Sequence, residues 1–308
     1  MARDNWIDLL DPTEEMLRER APADLHPRAL VELTSRPTET PPRPVIEGHG
    51  DYVFGHLVAP VAVPDEDRFY FQELGFILTH DRITTVRKTP PDGQPFDPGP
   101  IEAICDMKGH IASGMIAYLV VDEVAERFLV LLDAVDEEVQ EIEEGVSSWD
   151  PRHTQKRIAE LRRTGIGIRR TLGPTRDAVR GIVDGRTDLE GRPVFRREVF
   201  PRDVELHFAQ VFDKLLRAID GLDFARDAVA AVRDYYQGQI AHDQNDVVKK
   251  LAVVASLLLV PTFIVGVYGQ NFDHMPELHW HYGYLYSWLV IVALTIAQLA
   301  VFRWRRWI

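Results

Sequence analysis

The chain has 308 residues, 27% of them charged, with a formal net charge of −13. That excess of acid excludes the basic face of a nucleic-acid binder, so no nucleic-acid partner is expected; for most of these charges simple solubility is explanation enough. A single cysteine, Cys105, excludes an internal disulfide framework and fits a reducing compartment, where it reads as a buried apolar filler.

The length suggests about two domains. No apolar signal region opens the sequence, so the first ~240 residues are expected to stay on the synthesis side of a membrane. Trp6-Ile7-Asp8-Leu9 alternates as a strand does. Pro12-Thr13-Glu14-Glu15 opens a helix, with acids at its positive dipole end. Thr34–Pro44 reads as a loop, Tyr52–Val63 as a strand, and Leu74–Thr79 with Ile83–Arg87 as a hairpin around His80-Asp81. Lys88–Pro100 reads as loop or turn. Strands first and long helices later predict an α+β domain.

From about Ile111 the period becomes helical. Ala117–Gly145 puts Leu119, Val120, Val124, Phe128, Leu131, Leu132 and Val135 on one face and ends acidic. A basic helical stretch follows, carrying Arg152, Lys156, Arg157, Arg162, Arg163, Arg169 and Arg170. The pair reads either as a hairpin with opposite-charge faces or as two solvated faces. After a polar break at Gly185–Pro193, one helix is expected from about Glu198 into the membrane. Its seam is Phe212, Leu215, Ile219, Leu222, Ala225, Val229, Val232 and Tyr236.

Two long apolar runs follow, Leu251–Val267 and Leu285–Phe302, each near the ~20 residues that cross a bilayer as a helix. Lys249 and Lys250 precede the first, Arg303, Arg305 and Arg306 follow the second, and the connecting loop has neither Lys nor Arg. The expectation is an integral protein of the cell (inner or plasma) membrane in contact with lipid, with two spans, both termini cytoplasmic and the loop outside. Trp280, Tyr282, Tyr284, Tyr286 and Trp288 form an outer aromatic belt, and Trp304 and Trp307 an inner one.

Two spans cannot enclose a conduction path, so a channel would need several copies around one axis. Asn245, Val248, Ala252, Ala255, Leu259, Thr262, Gly266 and Gly269 recur every three or four residues on one helix face. The face is polar at its ends, apolar in its middle and mostly small, as a pore or a helix-packing surface would be. Asp213, Asp220, Asp227 and Asp234 recur every seven residues beside the seam. They form either a regulatory metal site between subunits or a solvated flank. Asp273 and Glu277 can draw cations to the outer mouth. His274, His279 and His281 would suit zinc, cobalt or nickel better than magnesium. No Walker loop, Gly-x-Ser-x-Gly or His-Glu-x-x-His occurs, so neither an enzyme nor a catalytic cofactor is expected.

Tyr268-Gly269-Gln270-Asn271-Phe272 followed by Met275-Pro276-Glu277-Leu278, set between two C-terminal spans, resembles the CorA family of divalent-cation channels. Asn5-Trp6-Ile7-Asp8-Leu9 and Leu25-His26-Pro27-Arg28-Ala29-Leu30 resemble the family's N-terminal opening. The usual triplet is Gly-Met-Asn; here Gln270 takes the middle position. The zinc-transporting ZntB branch carries Gly-Ile-Asn and lacks Met-Pro-Glu-Leu.

The resemblance implies a pentameric funnel that admits Mg²⁺ passively, with Co²⁺ or Ni²⁺ as further cargo. Its filter would be Gly269, Gln270 and Asn271, and family pore positions fall on Asn245, Val248, Leu251, Leu259, Thr262 and Asn271. It also implies divalent cations as cytoplasmic regulators. The alternatives are a ZntB-like Zn²⁺ transporter and a non-conducting membrane-anchored sensor of the same fold. The expected organisation is a cytoplasmic α/β domain (1–115), a helical hairpin region (116–197), a stalk helix (198–250), a pore helix (251–268), an external loop (269–284), a second span (285–302) and a basic tail (303–308).

Overall fold

Segments rich in β-branched and aromatic residues in the first ninety residues form five strands. They are β1 (Trp6–Leu10), β2 (Val45–Gly48), β3 (Val53–Val63), β4 (Arg68–Leu78) and β5 (Ile83–Arg87), in the sheet order β1-β5-β4-β3-β2. The pairing is antiparallel except for β1 with β5. The computed structural model describes residues 5–21, 25–38, 41–63, 68–91, 93–109, 111–146, 148–189, 198–270 and 275–307. It divides into two compact units, Met1–Val232 and Arg233–Ile308.

In the first unit the sheet is covered on both faces. Helices α1 (Glu14–Arg20) and α2 (Pro27–Thr34) bury Leu17, Leu30 and Leu33 with Phe54, Ile77 and Val86 on one face. Helices α3 (Gly99–Lys108), α4 (Ser113–Gly145) and α5 (Pro151–Val183), with the start of α6 (Arg202–Tyr268), share the larger core with Leu57, Leu74, Phe76 and Leu78. Two glycines make the fit possible. A Cβ on Gly75 would lie 2.0 Å from Leu33 Cδ2, and one on Gly55 would lie 2.1 Å from the Phe76 ring. The parallel β1–β5 edge is fastened by side chains: Arg87 grips both Asp8 oxygens, Oδ1 at 3.1 Å and Oδ2 at 2.6 Å, and Thr85 donates to Asp8 at 2.7 Å. Beyond His56, β3 has only β4 as a partner, so Pro60 sits where a missing N–H costs no ladder bond.

The helix starts follow local chemistry. Thr13 Oγ1 accepts from Met16 N at 3.3 Å to cap α1, and Asp150 accepts from Arg152 N at 2.9 Å to cap α5 behind Pro151. Of the two readings of the acidic and basic helices, charge pairing is seen at Arg157, which bonds Glu138 and reaches Glu141 at 3.1 Å. Arg169 instead joins Asp223 of α6 at 3.0 Å. The other basic residues of α5 lie on an outer face or pair locally.

Three elements differ from the expectations. Helix α3 starts where a loop ends, α2 forms behind the His26 cap, and β2 follows the Pro-rich segment. The long helix starts at Arg202 rather than Glu198, because Pro201 supplies the carbonyl that accepts from Val204 and Glu205 N.

A buried polar cluster lies on the α1/α2 face. Glu73 and Lys88 are each 3% exposed and joined at 2.7 Å, and Lys88 Nζ also lies 3.4 Å from Ser35 Oγ. His56 is fully buried, with Nε2 3.5 Å from the same Glu73 oxygen, and among the described residues neither ring nitrogen completes a hydrogen bond.

Candidate functional site

The second unit contains the membrane end of α6, a 3-10 turn at Pro276–His279, and α7 (Gly283–Trp304). The helices α6 and α7 are both long and apolar enough to cross a membrane, yet their most apolar windows are only 6% and 0% buried. An apolar core helix of a water-soluble protein would be covered by protein. These two need another apolar medium.

Helix α6 has two distinct faces in this region. Val253 is buried, and Ser256, Leu257, Val260, Ile264 and Val267 are half-buried, at the three- and four-residue steps of one face. Its counterpart on α7 is the half-buried stripe Ser287, Val290, Ile291, Thr295 and Gln298. The sequence-derived pore set lies elsewhere on α6. Asn245, Val248, Leu251, Ala252, Ala255, Leu259, Thr262, Gly266 and Gly269 are all exposed, Val248 at 63% and Leu259 at 68%. One face of α6 is thus covered by its own chain, and the predicted face is left bare. Thr262 Oγ1 turns back to Leu258 O at 2.7 Å, so its hydroxyl costs nothing in an apolar setting.

Helix α6 ends one residue before the triplet. Gly269 N bonds Val265 O at 2.9 Å and Gln270 N bonds Val267 O at 3.3 Å, which turns the chain out of the helix. Gln270 is exposed in the single chain. Asn271, Asp273 and His274 lie outside the described residues, as does the side chain of Glu277 in the 3-10 turn. The carbonyl end of α6 therefore faces the loop, and it carries the partial negative charge of a helix C-terminus. His279 Nδ1 is engaged with Met275 O at 3.2 Å, and His281 packs edge-on against Tyr282.

Just before the apolar run of α6, Asp246 accepts from Lys249 at 2.9 Å. Lys249 holds its carboxyl below the ordinary range, with His242 and Lys250 adding to the effect. Asp213, Asp220, Asp227 and Asp234 are all exposed along α6, and Asp234 accepts from Arg233 at 2.9 Å. Among the described residues, no three His, Cys, Asp or Glu side chains of one chain converge on a metal position. A regulatory site built on these aspartates would need carboxylates from a second copy.

One pair escaped the sequence reading. Gln298 Nε2 of α7 donates to Ser256 Oγ of α6 at 3.1 Å and lies 3.4 Å from Ser256 O. The available signal was a lone amide inside an apolar run, a costly placement that usually has a purpose.

A family model described as CorA-like Mg2+ transporter protein matches residues 3–306. The chain belongs to the CorA-like Mg²⁺ transporter family. Among its relatives is the cobalt/magnesium transport protein CorA of Thermotoga maritima, 26% identical over 98% of this chain and 83% of that one. The fold is similar to the complete structure of the CorA magnesium transporter from Methanocaldococcus jannaschii, with a TM-score of 0.78 at 20% identity, covering 98% of this chain and 91% of that one. It is also similar to the ZntB cytoplasmic domain from Vibrio parahaemolyticus, with a TM-score of 0.57 at 14% identity, covering 77% and 88% of the two chains. CorA membership agrees with the resemblance seen in the loop and N-terminal motifs. It makes this chain an integral membrane protein of divalent-cation transport, not an enzyme. The expected α+β domain, long helix and two C-terminal apolar helices are all present.

Proposed function

We propose that several copies of this chain, five by family resemblance, surround a pore lined by the bare face of α6, and that the pore conducts Mg²⁺ into the cell. The observation that supports this most directly is the split of α6 into a covered face and a bare face leading into Gly269-Gln270-Asn271. Asn271 and the Gly269 carbonyl would meet the ion through its water shell at the outer mouth. Mg²⁺ gives up water reluctantly, so neutral oxygens and the negative ends of the α6 helices suit it, and they also let it leave. Asp273 and Glu277 would concentrate cations at the entrance. Both termini would be cytoplasmic, with Lys249, Lys250, Arg303, Arg305 and Arg306 at the inner interface. A cytosol-negative potential of 100 mV would drive each divalent ion inward by about 4.6 kcal/mol, twice the ~2.3 kcal/mol for one charge. Transport therefore needs no ATP site.

Uptake of Mg²⁺, Co²⁺, Ni²⁺ and Zn²⁺ into proteoliposomes, with and without a proton gradient, tests this reading. Potential-driven Mg²⁺ uptake indifferent to the proton gradient is expected. Proton-dependent Zn²⁺ uptake without Mg²⁺ flux would replace it with the ZntB-like reading, and no flux of any ion would leave a membrane-anchored sensor. The name of the Thermotoga relative favours Mg²⁺ and Co²⁺.

Gln270 is the feature that keeps the zinc alternative in view. A polar side chain beside the filter either adds an oxygen or draws Asn271 aside by a hydrogen bond, and both act on the dehydration step where Mg²⁺ is most demanding. Gln270→Met is expected to sharpen the Mg²⁺ over Co²⁺ and Zn²⁺ uptake ratio by roughly three- to tenfold, the worth of one hydrogen bond. Equal ratios at matched oligomer yield would make Gln270 a packing residue.

The stalk aspartates are assigned to closure at high cytoplasmic Mg²⁺. Asp213, Asp220, Asp227 and Asp234 would bind the ion between neighbouring copies and repel one another when it is absent. Changing all four to Asn is expected to raise flux at high internal Mg²⁺ and to remove Mg²⁺-dependent protection from protease. Protection equal to that of the parent would assign them to a solvated flank.

A further inference from the structure

Helices in lipid gain nothing from pressing apolar side chains together, because the acyl chains they displace are equally apolar. The covered face of α6 carries Val253, Leu257, Val260 and Ile264, and the half-buried α7 stripe carries Val290 and Ile291, apolar residues that give no chemical reason to prefer one register over the next. The polar groups of the two spans narrow the choice. Thr262 and Thr295 spend their hydroxyls on their own helices, at Leu258 O and Ile291 O. Among the described residues of the spans, Gln298 to Ser256 is the side-chain hydrogen bond that joins α6 to α7. It lies about a turn and a half inside the inner basic ends, Lys250 and Arg303. Moving α7 one turn either way would put Gln298 opposite Ala252 or Leu259 and Val260, none of which offers a side-chain partner.

The bond is also incomplete. Among the described residues, Gln298 Oε1 is buried and finds no donor. A buried carbonyl oxygen without a partner is costly, so an apolar residue would serve stability as well or better. We infer that the Gln298–Ser256 pair is a positioning clasp that fixes the register of the outer helix α7 against the pore helix α6. Through that register it sets the placement of the loop that joins them, residues 269 to 282. A slip of one residue displaces one end of the loop by about 1.5 Å relative to the other. A binding constellation tolerates only about 0.5 Å. The clasp would thus act on ion handling through position, without touching the ion. This consequence for ion handling rests on the conduction reading above, whereas the register itself does not.

Register can be read without flux. In a background lacking Cys105, Val260→Cys is combined in turn with Ile291→Cys, Leu294→Cys and Thr295→Cys, and disulfide formation is scored. The parent is expected to cross-link predominantly in one of the three combinations. Gln298→Leu and Ser256→Ala are each expected to spread cross-linking across all three, with the oligomer retained. The exchanged variant, Ser256→Gln with Gln298→Ser, restores the pair in reverse and is expected to restore the single combination. In liposomes that conduct, either single variant should shift the internal Mg²⁺ needed for half-closure by about threefold, the average worth of such a bond in a membrane. The double variant Ser256→Ala with Gln298→Leu should shift it no further. An unchanged cross-linking pattern in Gln298→Leu, additive shifts in the double variant, or loss of the oligomer in both single variants would overturn the clasp. Absence of flux in the parent would overturn the conduction reading and leave the cross-linking result standing.

Discussion

Asn271→Ala is expected to abolish selective Mg²⁺ flux while leaving the oligomer assembled. The bare face of α6 leads to Gly269, and the chain leaves the helix there through the Gly269 and Gln270 amide bonds. Asn271 is the next residue, and its amide oxygen is the neutral ligand the proposed filter needs. On that proposal, each copy would lose one oxygen that meets the ion's water shell. A hydrogen bond to a charged group is worth about 1.5–3 kcal/mol, so roughly a ten- to hundredfold fall in Mg²⁺ flux follows from one such bond, and more if the ring acts together. Asn271 falls in the sequence outside both apolar runs, so assembly is expected to persist. Uptake of Mg²⁺ and Co²⁺ in liposomes, alongside size-exclusion profiles of the detergent-solubilised protein, gives both readouts. Parental uptake and parental selectivity in the variant would reject Asn271 as a filter residue. Loss of the oligomer would reassign it to assembly.

The parts of this fold that could be read from sequence are those with a strong period or a strong composition. Two apolar runs, a heptad-like seam ending in them, and an alternating strand pair each repeat one signal many times. Accordingly α6 and α7, β3 and β5 lie close to where their patterns place them, whereas β4 starts at Arg68, six residues before the expected Leu74. What escaped was short or non-local. Helix α2 has eight residues and β2 four, too few for a period to show, and α3 begins amid prolines and glycines that read as loop. The Glu73–Lys88 pair is invisible along the sequence because it depends on the register of three strands. His56 stands opposite Gly75, and Lys88 follows β5, whose ladder with β4 ends at Leu74 opposite Arg87. Three titratable side chains in a chain so rich in charge look like solvent-facing residues until the sheet brings them under α2. The Gln298–Ser256 clasp is of the same kind, since two residues 42 apart meet only when the spans pack. The candidate pore could be proposed from sequence for the opposite reason, as one helix face and one loop motif that need no tertiary knowledge to suggest. The stalk aspartates stand between these cases. Their spacing shows in the sequence, but their role depends on a second copy of the chain.

Lys88→Met is expected to be the most destabilising single change in the first unit's polar core, at about 3–5 kcal/mol near neutral pH. Glu73 would keep a carboxylate that is 3% exposed and lose the ammonium at 2.7 Å, leaving a buried charge without its cation. Burial pushes the Glu73 carboxyl up. His56 alongside it and the bond and charge of Lys88 outweigh that push and hold it below the ordinary glutamate value of 4.5. The sign of the pH dependence follows. A carboxyl held low in the folded state contributes stability that is present above about pH 4.5 and is lost as pH falls through the folded value. Thermal midpoints of the full chain in detergent should therefore show the largest gap between parent and Lys88→Met at about pH 6–7, narrowing below about pH 4.5 as the parent's carboxylate is protonated. Glu73→Leu combined with Lys88→Met removes both charges together and is expected to recover most of the loss, because a buried ion pair is worth little over apolar residues of similar size. His56→Leu tests the same cluster from its other side. It removes the ring that helps hold the Glu73 carboxyl low, so it is expected to lower the midpoint, by less than Lys88→Met because Lys88 still neutralises Glu73. If Lys88→Met matched the parent at about pH 7, or if the double variant were as unstable as the single one, the ion pair would not be the element that stabilises this polar cluster.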